Sequence, residues 1–420
     1  MRRNAKRFLL TAVTVFWGCA LFDAVACTSA VVTGKVTKDG RPLLWKHRDT
    51  GQEQNRVEFF STERYSFLAL VDSPSVGGEA WIGVNEAGFS IMNTASYNLK
   101  EVGDPVKEMD REGVLMFRAL SICKNLSDFE RFLDTLSRPM GVEANFGVID
   151  AEGGSAYYEV NNTTYNKVDV NDPRIAPNGY LIVTNFSYTG RFNEGMGYIR
   201  QQTASTLFAQ AAPSYSISPQ WIAQEVSRSF YHSLLGIDLK NVSGSSVQLS
   251  GNGIDGLSNG SGWFIDQDFI PRKSTSASVV VQGVKRGEDP QMCIFWTLLG
   301  YPPASVMVPL WVKTGALQPA LWVRSAESQN APLCEWAVAL KHKSFSITRG
   351  SGSRYFYWRG IYNEEGSGYM QRLRPVEDEI FRLFAPLIAK WRLEGEIDVK
   401  ALERVYTEVS ERIAVAFSGI

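Results

Sequence analysis

The stretch "CTSAVVTGKVTKDGRPLLWKHRD", residues 27–49, decides how the chain is interpreted. Small and β-branched residues fill 28–36, which predicts a strand, and the TKDG sequence at 37–40 is typical of a turn. The residues PLLWKHRD at 42–49 then predict a returning strand. The stretch should therefore form a β-hairpin that brings the charged end of its second strand back towards Cys27.

Two registers of this hairpin remain open. A three-residue turn places Asp49 on the same face as Cys27, whereas a two-residue Asp-Gly turn places Lys46 and Arg48 on that face. A carboxylate beside the cysteine would hold and orient an amine, and a cation would favour the thiolate. Either register therefore puts a charge near the thiol.

The residues before Cys27 have the features of a secretion signal. Four basic residues occur in the first seven positions, an apolar run covers 8–22, and Ala24-Val25-Ala26 is a small-x-small cleavage site. We predict that 1–26 is a removed signal peptide, that 27–420 is the mature domain, and that the protein is exported to the periplasm or secreted. An uncleaved anchor fits less well because the apolar run is short for a membrane span. A lipoprotein signal would usually carry leucine where Ala24 stands.

The bulk composition excludes several kinds of partner. The net charge is −1 and the isoelectric point is about 6.4, which argues against nucleic acid or an anionic membrane. No stretch after the signal approaches 18 apolar residues, so we expect no stable membrane span after cleavage. A G-x-G-x-x-G match at 251–256 lies in a Gly/Ser/Asn-rich loop with no following helix, which argues against nucleotide binding.

The remaining cysteines and the histidines show no spacing typical of metal ligands. We therefore expect no metal and no organic cofactor. In an oxidising compartment Cys293 and Cys334 could form a disulfide, and two buried free thiols are the equal alternative.

The order of predicted elements favours an α+β fold over a βαβ series, because strands are followed by helices and then by strands again. Strands are predicted at 28–36, 42–49, 66–71, 79–84, 89–93, 145–150, 155–160, 180–185, 277–284, 293–299 and 306–312. Helices are predicted at 114–122, 127–138, 195–211, 219–235, 375–393 and 398–416.

Cleavage after Ala26 would give one residue both a thiol and a free α-amine. The ordinary pKa values are about 8.5 for the thiol and about 7.7–8.0 for the amine, so the amine can accept the thiol proton near neutral pH. Nucleophile and general base would then share Cys27, and no histidine would be needed.

With this chemistry in place, the opening of the chain resembles that of the N-terminal-nucleophile (Ntn) hydrolases that use cysteine. This superfamily includes bile salt hydrolases, penicillin V acylases, N-acylethanolamine acid amidases and isopenicillin N acyltransferase-like proteins. Their second strand ends in Arg-Asn-x-Asp, where this chain has Lys46-His47-Arg48-Asp49. Asp49 matches the family aspartate. Lys46 stands at the family arginine, unless a two-residue slip gives that role to Arg48.

Further motifs follow in the family order. "GVNEAGFSIMN" ends at Asn93 and "VTN" ends at Asn185, and the resemblance implies that these two asparagines donate to the oxyanion of the reaction. Arg200 lies where these enzymes carry a further arginine, either as a clamp for a substrate carboxylate or as part of a structural ion pair. The resemblance covers about 27–312 and implies a four-layer αββα sandwich. The C-terminal helices at 375–416 lie outside it.

The sequence thus predicts an exported hydrolase that cleaves a linear, non-peptide C–N amide through an acyl-enzyme on Cys27. The expected partner is a small-molecule amide with an apolar acyl group, and a homo-oligomer is compatible with the sequence. An acyltransferase using the same acyl-enzyme is the nearest alternative. A catalytically inactive binding protein with this fold is another, favoured by Lys46 in place of arginine. A papain-like enzyme using His232 or His342 has the least support, and exposure of Cys27 by signal peptidase or by autoproteolysis stays open.

Overall fold

The computed structural model describes residues 26–101, 103–104, 110–242 and 262–420. The predicted signal peptide, apart from Ala26, and the G-x-G-x-x-G sequence at 251–256 lie outside these residues.

Two antiparallel sheets form the centre of the described structure. The first consists, in spatial order, of β10 (Tyr180–Val183), β1 (Thr28–Val32), β2 (Leu43–Asp49), β14 (Thr275–Gln282), β15 (Ile294–Leu299) and β16 (Val308–Leu310). The second consists of β3 (Asn55–Phe60), β4 (Phe67–Asp72), β5 (Ile82–Asn85), β6 (Ser90–Ala95), β7 (Ala144–Ile149), β8 (Ser155–Val160) and β9 (Tyr165–Asp169). Two short ribbons pair β11 (Tyr231–His232) with β12 (Ile237–Asp238) and β13 (Trp263–Ile265) with β17 (Tyr355–Tyr357).

Helices cover the outer faces of both sheets. The longer ones are α1 (Glu112–Ile122), α2 (Leu126–Thr135), α3 (Tyr198–Ala211), α4 (Pro332–Ser344), α5 (Tyr369–Glu394) and α6 (Val399–Ser418). Helix α1 packs on β5 and β6 of the second sheet, while α3, α4 and α5 pack on strands of the first. Strands β1 and β2 contact β6, β7 and β8 across the middle. The predicted α+β class and its αββα layering are therefore confirmed.

Strands β1 and β2 are buried on both faces of their sheet. Every residue of both strands is buried, including the charged ones in β2. Apolar side chains such as Val31 and Leu44 join one hydrophobic core with Met92 and Tyr157 of the second sheet. The same core extends to Phe384 in the C-terminal helices, which the sequence resemblance did not cover. The polar residues at the ends of these strands are thus held on a rigid scaffold.

The connection between β1 and β2 differs from both predicted registers. Thr28 pairs with His47 and Val32 pairs with Leu43, so the strands are joined by ten residues rather than by a tight turn. Residue Thr37 leaves the hairpin to form a bridge with Ile217. The predicted turn at 37–40 does form, with Gly40 in the left-handed region, but the strands do not continue up to it because Thr37 pairs with a distant segment. The predicted strand 28–36 ends at Val32.

The loop is also closed by a glycine contact. A Cβ on Gly34 would lie 2.3 Å from the carbonyl oxygen of Gly40, so only glycine fits there.

The observed register nevertheless places Lys46 and Arg48 beside the cavity of Cys27, as the two-residue-turn alternative expected.

Other element predictions need correction. The helix predicted at 219–235 ends early: Pro219–Trp221 is α-helical, Ile222–Val226 is a π-helical turn, and a strand begins at Tyr231. The C-terminal helix predicted to begin at 375 begins at Tyr369 instead. Strands β3 and β9 and helix α4 were not predicted.

Cys293 and Cys334 are free and buried, so the disulfide alternative is wrong. In the described part of the chain, no helix combines the length and hydropathy that a membrane span needs.

Candidate active site

Cys27 lies immediately before β1 and is 1% exposed. It lines a cavity of about 400 Å³ between the two sheets and the beginning of α1. Other residues lining this cavity include Lys46, Arg48, Asp72, Trp81, Asn93, Tyr97, Asp110, Glu112 and Glu143. The cysteine is therefore placed where a small molecule can reach it without leaving it exposed to bulk solvent.

Lys46 and Asn93 form one side of this cavity. The Lys46 ammonium donates to Asn93 Oδ1 at 2.5 Å and to the carbonyl oxygen of Trp81 at 2.9 Å. Burial lowers the pKa of Lys46 to about 8, although the nearby Cys27 opposes this shift. Because the lysine occupies the carbonyl end of the Asn93 amide, the NH₂ end is the one left to donate to a ligand.

Arg48 has a different role from Lys46. Its guanidinium makes a bidentate ion pair with Asp72, at 2.6 and 3.1 Å, and lies 4.7 Å from the centre of the Trp81 ring. The Trp81 indole N–H donates to the same aspartate at 3.0 Å. Of the two candidates for the family arginine, Lys46 is thus the one that contacts Asn93.

Arg200, from α3, binds the backbone of Cys27. It is buried, and its Nη1 donates to the Cys27 carbonyl oxygen at 2.7 Å and to Thr28 Oγ1 at 2.8 Å. Its Nη2 donates to Asn185 Oδ1 at 2.8 Å. Burial lowers the pKa of Arg200 to about 10, so the group stays protonated at neutral pH. This arginine therefore connects Cys27 with Asn185.

Asn185 follows β10 and is fully buried. Its amide nitrogen donates to the carbonyl oxygen of Ala95 at 3.0 Å, and its backbone pairs with Met196. Ala95 lines the Cys27 cavity. The two predicted oxyanion donors are thus placed differently. Asn93 lines the Cys27 cavity itself, whereas Asn185 is linked to the site by its hydrogen bonds to Ala95 and Arg200.

Asp49 ends β2 on the other side of Cys27. It accepts hydrogen bonds from Thr275 Oγ1 at 2.6 Å and from Arg272, which also donates to the carbonyl oxygen of Ala26 at 3.3 Å. Burial alone would raise the pKa of the Asp49 carboxyl, but the neighbouring cations, Arg272 first, lower it below its usual value. The Arg272 side chain therefore connects the ionised Asp49 carboxylate with the peptide bond that precedes Cys27.

A second cavity, of about 350 Å³, lies on this side of Cys27. Ala26, Arg200 and Arg272 line it together with Asp266 and Asp268. Residues 26 and 27 thus separate two cavities, one on the thiol side and one on the side of the preceding peptide.

The histidines offer no obvious base. Burial lowers the pKa of His47 to about 4, and its Nε2 lies 3.3 Å from Thr275 Oγ1. His232 packs edge-on against Phe269, and His342 contacts Glu53 on the surface. Within the described ranges, no group of three or more potential ligands is arranged for a metal ion.

The structure brings the five other sequence-predicted site residues around Cys27, but it also adds residues that the sequence reasoning missed. Arg272 is the clearest case, and its one signal was the basic sequence "PRK" at 271–273, which ends two residues before the first residue of β14. Tyr97, Glu112 and Glu143 reach the cavity from loops and a helix end that no motif identified.

Replacing Lys46 tests its role in holding Asn93. We expect Lys46→Met to lower kcat about 10- to 100-fold, because the asparagine carbonyl loses a charged hydrogen-bond donor. Lys46→Arg should retain most activity. In the parent, activity should fall above pH 8 as Lys46 loses its proton, and in Lys46→Arg this alkaline fall should move to higher pH. Steady-state pH profiles measure both effects, with the exposed Lys124→Met as control. An unchanged profile in Lys46→Arg would contradict the assignment.

No protein-family model and no curated protein matches the sequence. Solved structures with similarity to the chain include an N-acylethanolamine-hydrolyzing acid amidase ortholog from Caenorhabditis elegans, at 14% identity and a TM-score of 0.37, covering 63% of this chain and 93% of that one. A mutant conjugated bile acid hydrolase from Clostridium perfringens has 12% identity and a TM-score of 0.36, covering 68% and 92%. Penicillin V acylase from Agrobacterium tumefaciens has 13% identity and a TM-score of 0.30, covering 68% and 86%.

These proteins are Ntn hydrolases, the superfamily that the opening of the sequence resembles. At such TM-scores the assignment of an activity rests on the side chains of the site rather than on the superpositions.

Proposed function

We propose that the chain, after removal of residues 1–26, is an amide hydrolase that uses Cys27 as an N-terminal nucleophile. The observation that supports this most is the way Cys27 is held. It lines a cavity that a small molecule can enter, and Arg200 binds both its carbonyl oxygen and the hydroxyl of Thr28. A cysteine held by its own carbonyl group at the start of a buried strand is preorganised for attack after residues 1–26 have been removed.

The proposed reaction begins with proton transfer inside Cys27. The free α-amine takes the thiol proton, and Sγ attacks the carbonyl carbon of the substrate amide. The resulting α-ammonium then gives a proton to the leaving amine, and a thioester remains on Sγ. In the second half, the amine takes a proton from water, which attacks the thioester and releases the carboxylic acid. Asp49, with its lowered pKa, would hold the ammonium form through electrostatic attraction.

The negative charge on the attacked oxygen needs donors that are already in place. We assign this role to the Asn93 NH₂ group, because its carbonyl end is occupied by Lys46 and none of the described residues accepts from its nitrogen. Asn185 is the second proposed donor. Arg200 acts as a positioning residue, since it contacts the backbone of Cys27 and the carbonyl end of the Asn185 amide.

Removing the Asn93 donor should affect the chemical step most. We expect Asn93→Ala to lower kcat about 10²–10³-fold, which is the effect of losing one oxyanion donor. KM should change much less, because the charge develops only in the transition state. Steady-state kinetics gives this split, and alkylation of Cys27 by iodoacetamide checks that the site is still formed. An equal loss in kcat for Asn241→Ala, at an exposed position, would show that the effect is not specific.

Covalent labelling separates an enzyme from a binding protein of the same fold. Under the proposal, a thiol-reactive acyl analogue labels the mature protein rapidly at one site per chain, and Cys27→Ala takes up no label. An inactive binding protein would show no fast stoichiometric labelling at Cys27. Adding an amine acceptor tests the acyltransferase alternative, since a transferase would form new amide faster than free acid.

Export is a further part of the proposal. The protein isolated after export should begin at Cys27, because Ala24-Val25-Ala26 fits signal peptidase. N-terminal sequencing and intact mass measure this directly. Active protein that still carries residues 1–26 would refute it, and a mature chain formed in cytosol without signal peptidase would indicate autoproteolysis.

A further inference from the structure

Two buried cations lie on the same face of β2. Lys46 and Arg48 are two residues apart and both line the Cys27 cavity, so their side chains leave the strand about 7 Å from each other. Like charges held this close in a buried site favour loss of the proton from the lysine, because the arginine keeps its own. An anion beside Arg48 offsets this repulsion and lets Lys46 bind Asn93 as an ammonium.

Asp72, the last residue of β4, is such an anion. Its Oδ1 accepts from Arg48 Nη1 at 2.6 Å, and its Oδ2 accepts from Arg48 Nη2 at 3.1 Å and from the Trp81 indole N–H at 3.0 Å. The side chains of Arg48 and Asp72 are 4% and 15% exposed, so water screens this pair little. One carboxylate thus binds both the cation beside Lys46 and the tryptophan whose carbonyl group binds Lys46.

Trp81 connects Asp72 with Lys46. Asp72 holds the indole of Trp81, and the Trp81 backbone N–H donates to the carbonyl oxygen of Leu70 at 3.0 Å. The Trp81 carbonyl oxygen accepts from the Lys46 ammonium at 2.9 Å, and the same ammonium donates to Asn93 Oδ1. A displacement of Trp81 would therefore move the lysine away from Asn93, the first proposed oxyanion donor.

We propose that Asp72 is a positioning residue of the active site, which acts through Arg48 and Trp81 to keep the Lys46 ammonium on Asn93. This inference rests on the proposed function, in which Asn93 stabilises the oxyanion. In this role Asp72 acts on the lysine and not on the substrate. Asp72 belongs to none of the motifs on which the sequence resemblance rests.

The charges around Lys46 agree with this assignment. Its pKa is lowered to about 8, because burial and Arg48 lower it while Cys27, Asp72 and Glu112 raise it. Burial also raises the pKa of Glu112 to about 8, so this carboxyl is mostly neutral at neutral pH. Of the two carboxyl groups, Asp72 is therefore the one that supports the charged lysine there. The other titratable groups that line the cavity are Tyr97, Asp110 and Glu143.

Two charge variants test this role in opposite directions. Asp72→Asn keeps an acceptor for the indole but removes the negative charge, so the pKa of Lys46 should fall. We expect the alkaline loss of kcat, near pH 8 in the parent, to move down by about one pH unit. Arg48→Met leaves Asp72 unpaired beside Lys46, so the alkaline loss should move to higher pH. The double variant should return it close to the parent position.

Three further variants separate charge from structure. In a Lys46→Arg background the arginine stays protonated, so Asp72→Asn should no longer move the pH profile. Asp72→Glu keeps the charge and should keep the position of the alkaline loss. Glu403→Gln removes a negative charge on the exposed surface of α6 and should leave the profile unchanged. Circular dichroism verifies that each variant is folded.

A titration of Lys46 itself makes the result independent of turnover. Protein with isotope-labelled lysine ε-carbons is titrated by NMR, and the signal that is absent from Lys46→Arg belongs to Lys46. We expect its midpoint near pH 8 in the parent, about one pH unit lower in Asp72→Asn, and above the parent value in Arg48→Met.

The outcomes distinguish this proposal from the proposed function. The expected shifts of the Lys46 midpoint without turnover of any amide support the role of Asp72 and count against the hydrolase. A midpoint that Asp72→Asn leaves unchanged overturns the proposal, and turnover in that case leaves the hydrolase intact. A lower kcat in Asp72→Asn with the parent pH profile would show a structural role only and also overturns it. Should Asp72→Asn not fold, Arg48→Met decides, and a midpoint that stays or falls overturns the proposal.

Discussion

Leaving one alanine in front of Cys27 should lower turnover by about 10²–10⁴-fold, the range that general-base help contributes. In such a chain the Cys27 nitrogen is part of a planar amide, so it has no basic lone pair with which to take the thiol proton. The thiol, the Lys46–Asn93 contact and the fold are unchanged. The extra residue also occupies the second cavity beside Arg272, next to the nitrogen that would give its proton to the leaving amine.

The comparison needs the trimmed chain, beginning at Cys27, under the same conditions. Intact mass verifies that the added alanine is still present after the assay, and circular dichroism verifies the fold. Cys27→Ser with a free amine should retain slow acylation, whereas Cys27→Ala should retain none. If the extended chain turned over substrate as fast as the trimmed one, a side-chain base such as His47 would have to be sought.

Replacing Arg228 by methionine should lower the free energy of unfolding by about 3–5 kcal/mol, the cost of leaving a buried charge without its partner. Arg228 makes two hydrogen bonds of 2.6 Å to the Glu377 carboxylate, and both side chains are almost fully buried. It also donates to the carbonyl oxygens of Pro302 and Ser305. Through Arg228, Glu377 of α5 is connected to the segment between β15 and β16, so we expect the packing of α5 to depend on this pair.

Urea denaturation measures this change in the free energy of unfolding, and two further variants show its cause. The double variant Arg228→Met with Glu377→Leu should recover much of the loss, because it removes the unpaired carboxylate as well. Arg382→Met breaks the exposed pair with Glu379 on the same helix and should change stability little. A loss in the double variant as large as in the single one would show that the helix depends on the arginine's own packing.

The local patterns predicted most elements and the α+β class, and the family resemblance implied the αββα layers, but the long-range pairing of the strands was not predicted. Runs of apolar and β-branched residues between turn signals identified most strands, because strands that are buried on both faces are rich in such residues. The connection from Val32 to Leu43 was mispredicted because Thr37 pairs with Ile217, a contact far away along the chain. The residues that follow the π-helical turn at Ile222–Val226 likewise make contacts far along the chain, Ser227 with Ser278 and Arg228 with Glu377.

In the candidate site, too, residues within a motif could be predicted and residues brought together by long-range contacts could not. The residues that resemble the family motif, from Cys27 to Asn185, could be named because their order in the chain is characteristic. Arg272 could not be assigned to Asp49 from spacing, since it stands 223 residues further on. Glu112 and Glu143 belong to no motif, because they meet at the Cys27 cavity only through the packing of α1 on β5 and β6 and the pairing of β6 with β7.

The most direct test of the central claim is detection of the acyl-enzyme. Mature protein mixed with an amide substrate is quenched on the time scale of turnover, and its N-terminal peptide is analysed by mass spectrometry. The proposal predicts one acyl group per chain, on the sulfur of Cys27 with its α-amine free, and loss of this adduct at the rate of turnover. Steady turnover with no adduct on Cys27, or with the acyl group on another residue, would contradict it.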